Sequence, residues 1–242
     1  MSPAPRLSGR LALVTGATRG IGRAVALAYA REGAHLILVG RTTGALEELD
    51  DEIRQLGGNA TLLTLDLKNL DKIDALGPTI YQRWQKLDIV VGNAGILGPL
   101  SPLGHVTAEA WDEVLQINLT ANWRLIRTLD PLLRRSDAGR AIFVSSGAAI
   151  GRPAYWGPYS VSKAALEALV VSYAHEVEST PVRANLINPG PTRTRMRAKA
   201  FPGENPASVK TPESVTPTFI KLAEPSCTEN GRIFDMKTGD IR

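Results

Sequence analysis

The stretch Leu11-Ala12-Leu13-Val14-Thr15-Gly16-Ala17-Thr18-Arg19-Gly20-Ile21-Gly22 reads as a short apolar strand followed at once by a glycine-rich turn. Residues 23–31 continue as an Ala-rich segment with helical spacing, and Gly33 ends it. The next apolar run is Leu36-Ile37-Leu38-Val39. Strand, turn, helix and strand within ~30 residues are the order of a βαβ unit, whose two strands are parallel.

The rest of the chain repeats this alternation without an internal repeat or a linker. Further strands are predicted at 61–65, 87–91, 141–144, 182–187 and 231–234, and helices at 45–56, 71–84, 107–133, 158–177 and 216–222. Residues 1–8 read as a loose tail. We therefore predict one α/β domain over residues 1–242, a Rossmann fold with a doubly wound parallel sheet of about seven strands and helices on both faces.

Charge and composition exclude several classes of function. The net charge is +4, but no run of five or six like charges suggests binding to nucleic acid. Apolar runs are too short to span a membrane, and the single Cys suits a reducing compartment, so a cytoplasmic protein is expected. The three histidines are scattered, without carboxylates or thiols at ligand spacing, so no metal site is predicted.

The glycine turn has the spacing Gly-x-x-x-Gly-x-Gly. Glycines allow close approach of the backbone, and the helix that follows presents free N–H groups to a phosphate. A plain strand-to-helix turn is the alternative, but the position after a strand and before a helix favours a phosphate site. Polar or glycine-rich residues also stand at the other strand exits, where ligands bind in such sheets: Gly40-Arg41, Asp66, Asn93-Ala94-Gly95, Ser145-Ser146 and Asn188-Pro189-Gly190.

The exit of the second strand distinguishes between the two nicotinamide dinucleotides. NAD enzymes usually place an acidic residue there for the ribose 2′-hydroxyl, whereas this chain has Gly40 and Arg41 and no acid before Glu47. Arg19 lies in the glycine turn. Two guanidinium groups suit a dianionic 2′-phosphate, so the sequence predicts NADP (NADPH) rather than NAD. Two exposed arginines without a ligand are the alternative.

Tyr159 and Lys163 are spaced i, i+4 at the start of a predicted helix, so they share one helix face. A phenol titrates near ~10, and an ammonium beside it favours the phenolate and lowers its pKa. Ser145-Ser146 ends the fifth predicted strand. A serine there could hydrogen-bond a substrate oxygen while the tyrosine moves a proton to or from it.

These motifs together resemble the short-chain dehydrogenase/reductase (SDR) family. The residues that carry the resemblance run in the family's order from 11 to about 194: Thr15 to Gly22, Asn93-Ala94-Gly95, Asn118, Ser146, Tyr159-x-x-x-Lys163 and Pro189-Gly190. The stretch 185–202 is similar to a bacterial subgroup known mainly as uncharacterised oxidoreductases.

The resemblance implies NAD(P)-dependent interconversion of a small-molecule carbonyl and an alcohol. It implies that Tyr159 is the acid/base, that Lys163 also holds the nicotinamide ribose, and that Asn118 holds a water in a proton relay. Ser146, thirteen residues before Tyr159, is implied as its partner. Asp66 is implied to contact adenine and Thr192 the nicotinamide amide. The full set of expected cofactor contacts is Gly16, Thr18, Arg19, Gly20, Ile21, Gly22, Arg41, Asp66, Leu67, Asn93, Ala94, Gly95, Tyr159, Lys163, Pro189, Gly190 and Thr192.

Three further expectations concern partners and alternatives. The helix from Tyr159 is apolar on more than one face, which predicts a homodimer or homotetramer built partly on that helix. Residues 191–212 carry little periodicity and four cationic side chains between 193 and 199, so they form either a candidate substrate lid that favours anions or a solvated basic loop. A catalytically idle NADP-binding redox sensor or scaffold is the alternative function.

Overall fold

The computed structural model describes residues 5–242 and confirms the predicted fold class. Seven strands form one sheet in the order β3-β2-β1-β4-β5-β6-β7, and every adjacent pair is parallel. The strands are β1 Leu11–Thr15, β2 His35–Gly40, β3 Asn59–Thr64, β4 Ile89–Gly92, β5 Arg140–Val144, β6 Arg183–Asn188 and β7 Ile233–Asp235. The order reverses between β1 and β4, and this switch point is where such sheets bind ligands.

Ten α-helices cover the sheet or cross its carboxyl edge in the described part of the chain. They are α1 Gly20–Arg31, α2 Thr43–Gln55, α3 Leu70–Asp74, α4 Leu76–Trp84, α5 Ala108–Leu115, α6 Ala121–Leu133, α7 Ala148–Gly151, α8 Gly157–Glu176, α9 Arg195–Ala200 and α10 Thr216–Ala223. A π-helical turn, Gln116–Thr120, joins α5 to α6, and short 3-10 turns lie at Leu103–His105, Pro206–Ser208 and Pro212–Val215. Within residues 5–242, none of the helices has the length and apolarity needed to cross a membrane.

Side chains that alternate along the strands divide the core into two layers. Leu11 and Leu13 point to a layer shared with α4, α6 and α8, whereas Ala12 and Val14 point to a layer shared with α1, α2 and α10. Strands buried on both faces are nearly continuous apolar runs, and β1 is one: all five of its residues are buried, and only the last, Thr15, is polar. The loops at the carboxyl edge are therefore held by a rigid, two-sided core.

Two predicted helices differ from the observed ones for local reasons. The expected helix 71–84 is split after Asp74, because Pro78 has no N–H for the Asp74 carbonyl. The Thr128 hydroxyl of α6 donates to that carbonyl instead (2.7 Å) and accepts from Gly77 N (3.2 Å). The expected helix 107–133 contains the π turn, which widens the backbone around Asn118.

The first described residues are more ordered than the sequence suggested. Residues 1–4 of the expected loose tail lie outside the described residues, but Leu7 is fully buried and its N–H donates to the Glu32 carbonyl (2.9 Å). The expectation of a loose tail is therefore wrong for residues 5–8. At the other end, Ile241 forms an antiparallel bridge with Phe234, and Ile233 and Arg242 exchange backbone hydrogen bonds.

Candidate active site

The glycine turn between β1 and α1 requires glycine at three positions. Gly16 and Gly20 have positive φ values of 63° and 55°, which side chains rarely adopt. A Cβ on Gly22 would collide with the Asn93 side-chain amide and the Gly16 carbonyl. A Cβ on Gly20 would lie 3.2 Å from Thr194 Cγ2, so the turn also closely approaches the segment after β6.

The N-terminus of α1 fits an anionic phosphate. Its cap residue Arg19 makes no side-chain hydrogen bond to the helix, and the first turn carries no acidic residue. The first N–H groups of a helix lack intrahelical partners and carry partial positive charge. Arg19 and Arg41 are both exposed, and Thr18 lies against Gly40 at the exit of β2. The residues present therefore fit a phosphorylated dinucleotide.

Asn93, an expected cofactor contact, holds the glycine turn itself. Its side-chain amide donates to the carbonyl oxygens of Thr15 (2.9 Å) and Gly16 (3.3 Å). The Thr15 hydroxyl accepts from the backbone N–H groups of Asn93 (3.0 Å) and Ala94 (3.1 Å). Thr15 and Asn93 thus tie the exits of β1 and β4 together, and the importance of the Thr15 hydroxyl was not foreseen from the sequence.

The remaining expected cofactor residues stand around the same edge. Asp66 is exposed after β3 and accepts from Lys68 N (3.0 Å), whereas Leu67 is buried. After β6, Gly190 has a φ of 65°. The Thr192 hydroxyl donates towards the carbonyls of Gly190 (3.2 Å) and Pro189 (3.4 Å), so its hydrogen is already used within the loop.

Tyr159 and Lys163 lie in the first two turns of α8, and both are almost fully buried, at 7% and 3% exposure. The Lys163 ammonium donates to the Val144 carbonyl at the end of β5 (2.8 Å) and lies 5.8 Å from the centroid of the Tyr159 ring. A Cβ on Gly95 would be 3.7 Å from Lys163 Nζ. The loop after β4 therefore brings the expected cofactor site beside this pair.

The pKa of Tyr159 differs from the sequence-based expectation. Burial raises the pKa of the phenol, and the smaller, opposing effect of a hydrogen bond with Ser146 lowers that pKa. The pKa of Lys163 is lowered to about 8, because the effect of burial exceeds the opposing effect of the Glu167 charge. Desolvation thus outweighs the expected effect of the ammonium on the phenol, because both groups are removed from water.

The two serines after β5 face different partners. Ser146 is half-buried, and its hydroxyl accepts a hydrogen bond from Ala148 N (3.2 Å). The same side chain hydrogen-bonds the Tyr159 phenol. Ser145 is buried and donates instead to Glu167 Oε1 (2.6 Å). Of the two, only Ser146 is available to a substrate beside Tyr159.

Asn118 lies in the π turn and is fully buried. Its Oδ1 accepts from Ile96 N (2.8 Å), and its Nδ2 donates to Ile96 O (2.9 Å) and to Ser162 Oγ (3.0 Å). The side-chain amide has no hydrogen left for a water. Its main-chain carbonyl lies in the same turn and accepts from Asn122 Nδ2 (2.8 Å).

An apolar wall surrounds the Tyr159 ring. Trp156 meets that ring edge-on at 5.8 Å between centroids and approaches the Phe201 ring at 5.7 Å. The other members of the wall are Leu97, Ala148, Met196 and Ala200. The space next to the phenol is therefore bordered by aliphatic and aromatic groups.

Residues 191–212 are not the unstructured loop that the sequence suggested. The Thr194 hydroxyl caps the N-terminus of helix α9 by accepting a hydrogen bond from Arg197 N (3.1 Å). This helix contributes Met196 and Ala200 to the apolar wall. Arg197 forms an ion pair with Glu204, with Nε 2.7 Å from Oε2, and stacks 3.6 Å above the Phe201 ring. Arg193, Arg195 and Lys199 are exposed.

Glu167 and Arg242 are site-proximal residues that the sequence reasoning missed. Glu167 is on α8, four residues after Lys163, and Arg242 Nη2 lies 3.2 Å from its Oε1. The available signal was an acidic residue inside an apolar helix, one turn beyond the lysine on the same face. The partner Arg242, 75 positions away, could not be inferred from local spacing.

Comparisons with known proteins agree with this geometry. A model of the short chain dehydrogenase family matches residues 10–205. The chain is 39% identical over 240 residues to the uncharacterized oxidoreductase YciK of Escherichia coli K12, covering 96% of this chain and 94% of that protein. Two solved structures, both assigned as short chain dehydrogenases, superpose with a TM-score of 0.93 and cover 97% of this chain and 99% of their own. One, from E. coli CFT073, is 38% identical and was solved with NADPH; the other, from Shigella flexneri 2a, is 39% identical and was solved with NADP.

Proposed function

This chain belongs to the short-chain dehydrogenase/reductase family, and we propose that it is an NADP(H)-dependent oxidoreductase that interconverts a carbonyl and an alcohol by hydride transfer. One observation carries the proposal. The Lys163 ammonium of the buried Tyr159–Lys163 pair lies beside Gly95, and Asn93 of the same loop hydrogen-bonds the start of the glycine turn. A proton donor and a dinucleotide site therefore share one edge of the sheet.

NADP(H) is the proposed cofactor. The glycine turn and α1 would hold its pyrophosphate, and Arg19 and Arg41 would bind the 2′-phosphate, since no acid follows β2 before Glu47. Its contacts would come from the expected set of Gly16–Gly22, Arg41, Asp66, Leu67, Asn93–Gly95, Tyr159, Lys163, Pro189, Gly190 and Thr192. The relatives solved with NADPH and NADP support this choice.

The bound cofactor supplies the hydride, and the protein supplies a proton and a defined position for the substrate. In reduction, Tyr159 donates its phenolic proton to the carbonyl oxygen, and Ser146 hydrogen-bonds the same oxygen. The raised pKa of Tyr159 keeps the phenol protonated at neutral pH, which suits an acid. The Lys163 ammonium stabilises the phenolate after the transfer and is placed to hold the nicotinamide ribose.

Asn118 would supply the relay that returns a proton to Tyr159. Because both hydrogens of its side-chain amide are already donated, we place the relay water on the main-chain carbonyl of the π turn. The amide then has a positioning role: it holds Ile96 and Ser162, and so the loop after β4, against α8.

Residues 191–212 are proposed to close over the substrate. Helix α9 already contributes to the apolar wall around Tyr159, and Phe201 follows directly after it. Closure would exclude water and complete the site. The lining favours a substrate with an apolar group beside its carbonyl.

The proposal is tested by a cofactor-depletion screen with NADPH and a broad carbonyl panel, and with NADP and alcohols in reverse. An oxidoreductase consumes NADPH with at least one class of carbonyl, in proportion to enzyme. A redox sensor or scaffold would bind NADPH tightly yet consume none across the panel, and this result would refute the proposal.

The proposal extends to assembly as a homodimer or homotetramer. On α8, Val161 is 44% exposed and Ala168 is exposed, while Ala164, Ala165, Leu169 and Val171 are half-buried. One copy of the chain therefore leaves part of this apolar helix uncovered. A second copy would bury that face.

A further inference from the structure

A buried carboxylate lies directly behind the candidate active site. Glu167, on α8, is 9% exposed. Its Oε1 accepts from Ser145 Oγ (2.6 Å) and lies 3.2 Å from Arg242 Nη2, and its Oε2 lies 3.4 Å from the same guanidinium. A buried carboxylate without partners is costly, and these two partners offset the cost.

The same short segment connects this carboxylate to the reacting groups. Three consecutive residues make these contacts. The Val144 carbonyl accepts a hydrogen bond from Lys163 Nζ, and the Ser145 hydroxyl donates one to Glu167. The Ser146 side chain hydrogen-bonds the Tyr159 phenol. Glu167 is also one helical turn from Lys163 on α8. Glu167 is therefore connected to Tyr159 and Lys163 in two ways: by its hydrogen bond with Ser145 at the end of β5, and by its charge next to Lys163.

A purely structural role would make Glu167 an anchor for the last residues of the chain. The Arg242 side chain is 38% exposed, however, and an ion pair whose guanidinium is in contact with solvent is a weak anchor. The hydrogen bond from Ser145 and the position beside Lys163 are not needed for such an anchor. Glu167 is also the one anion whose charge raises the pKa of the buried Lys163 among the residues from 5 to 242.

We infer that Glu167 is a positioning residue that keeps Lys163 in its ammonium form and, through Ser145, fixes the end of β5 beneath Tyr159; Arg242 tunes this effect by partly neutralising the carboxylate. The inference rests on the proposed function for its catalytic meaning. The charged groups at the cluster are Lys163 on α8, Arg242 in the last segment and, acting on Arg242, Asp235 of β7, while β5 presents the neutral Ser145.

The sign of the effect follows from these charges. Burial depresses the pKa of Lys163 to about 8, and Glu167 opposes that depression. Removing the carboxylate charge should lower the pKa of Lys163 further, so the ammonium is lost at lower pH. Removing the guanidinium charge of Arg242 leaves Glu167 less neutralised and should raise the pKa of Lys163.

Three variants test this with the full chain. Glu167→Gln keeps the volume and an acceptor for Ser145 but removes the charge. Arg242→Gln removes the opposite charge at a partly exposed position. Ser145→Ala is the matched control, since it removes the hydrogen bond and leaves both charges. Carbon-13 labelling of the lysine ε-carbons, with the Lys163 signal assigned from Lys163→Met, gives its titration without any substrate.

We expect the Lys163 titration to move down by about one pH unit in Glu167→Gln and up in Arg242→Gln, and to stay nearly in place in Ser145→Ala. Where a carbonyl substrate is found, the alkaline limb of the reduction rate should follow the same order. An unmoved Lys163 titration in Glu167→Gln, or shifts of the same sign in both charge variants, would overturn the inference. Because the titration needs no turnover, it remains informative if the proposed reaction fails.

Discussion

Burial acts in opposite directions on the two residues that carry the proposed chemistry. It favours the neutral phenol of Tyr159 and the neutral amine of Lys163, because each charged form loses water. The charge of Glu167 opposes the effect of burial on Lys163 and favours the ammonium. A phenol with a raised pKa keeps its proton at neutral pH, as the proposed carbonyl reduction requires.

We propose that the preference for NADPH over NADH depends on single side chains at the exit of β2. Arg41→Asp replaces a cation for the 2′-phosphate with an acceptor for a ribose hydroxyl. Arg41 is exposed, so the fold should be unaffected. We expect the Kd for NADPH to rise roughly 10- to 100-fold, the loss of about one charge-assisted hydrogen bond, and NADH to be relatively favoured. Wild-type protein that already prefers NADH would contradict the two-arginine argument.

At the scale of single residues, the sequence predicted the groups whose signal is local. Tyr159 and Lys163 are one helical turn apart, and the glycines follow a strand directly. The hydrogen bonds of the Asn118 amide and the ion pair between Glu167 and Arg242 depend on contacts between distant segments. Burial of Tyr159 was equally invisible, which explains why the direction of its pKa shift was predicted wrongly.

Among the elements, the segment after β6 differs most from its prediction. Its helix α9 is only six residues long and half of them are basic, so it is too short to show apolar periodicity. The cap by Thr194 and packing of Met196 and Ala200 on the apolar wall stabilise it instead. The split between α3 and α4, in contrast, follows from Pro78 and was readable in principle.

The proposed lid gives a prediction at this scale. Arg197 holds the segment together through its pair with Glu204 and its stack on Phe201. Arg197→Ala should therefore raise KM roughly three- to tenfold and leave the Kd for NADPH unchanged. Arg195→Ala is the control, because Arg195 is exposed and makes no ion pair within residues 5–242.

The pair of variants also separates the two interpretations of the basic segment. If the substrate is anionic, Arg195→Ala and added salt both raise KM, since exposed charges are screened. If KM responds to Arg197→Ala alone, the lid recognises shape and apolar surface. A KM indifferent to Arg197→Ala would contradict closure by this segment.

At the scale of the whole molecule, the partly exposed apolar face of α8 predicts assembly. Light scattering at micromolar concentration should give two or four times the 26.0 kDa chain mass. Ala168→Glu adds a charge at an exposed position of α8 and should shift the population towards monomer. A wild-type protein that is strictly monomeric would contradict this prediction.

The central claim, that Tyr159 protonates a carbonyl oxygen in an NADPH-dependent reduction, is tested most directly by Tyr159→Phe. The variant loses one hydroxyl from a packed ring, so the fold and the Kd for NADPH should be preserved. Turnover with the carbonyl found in the screen should fall by ~2–4 orders of magnitude, the scale of a positioned acid/base. Turnover within a few-fold of wild type, at unchanged NADPH affinity, would contradict the account.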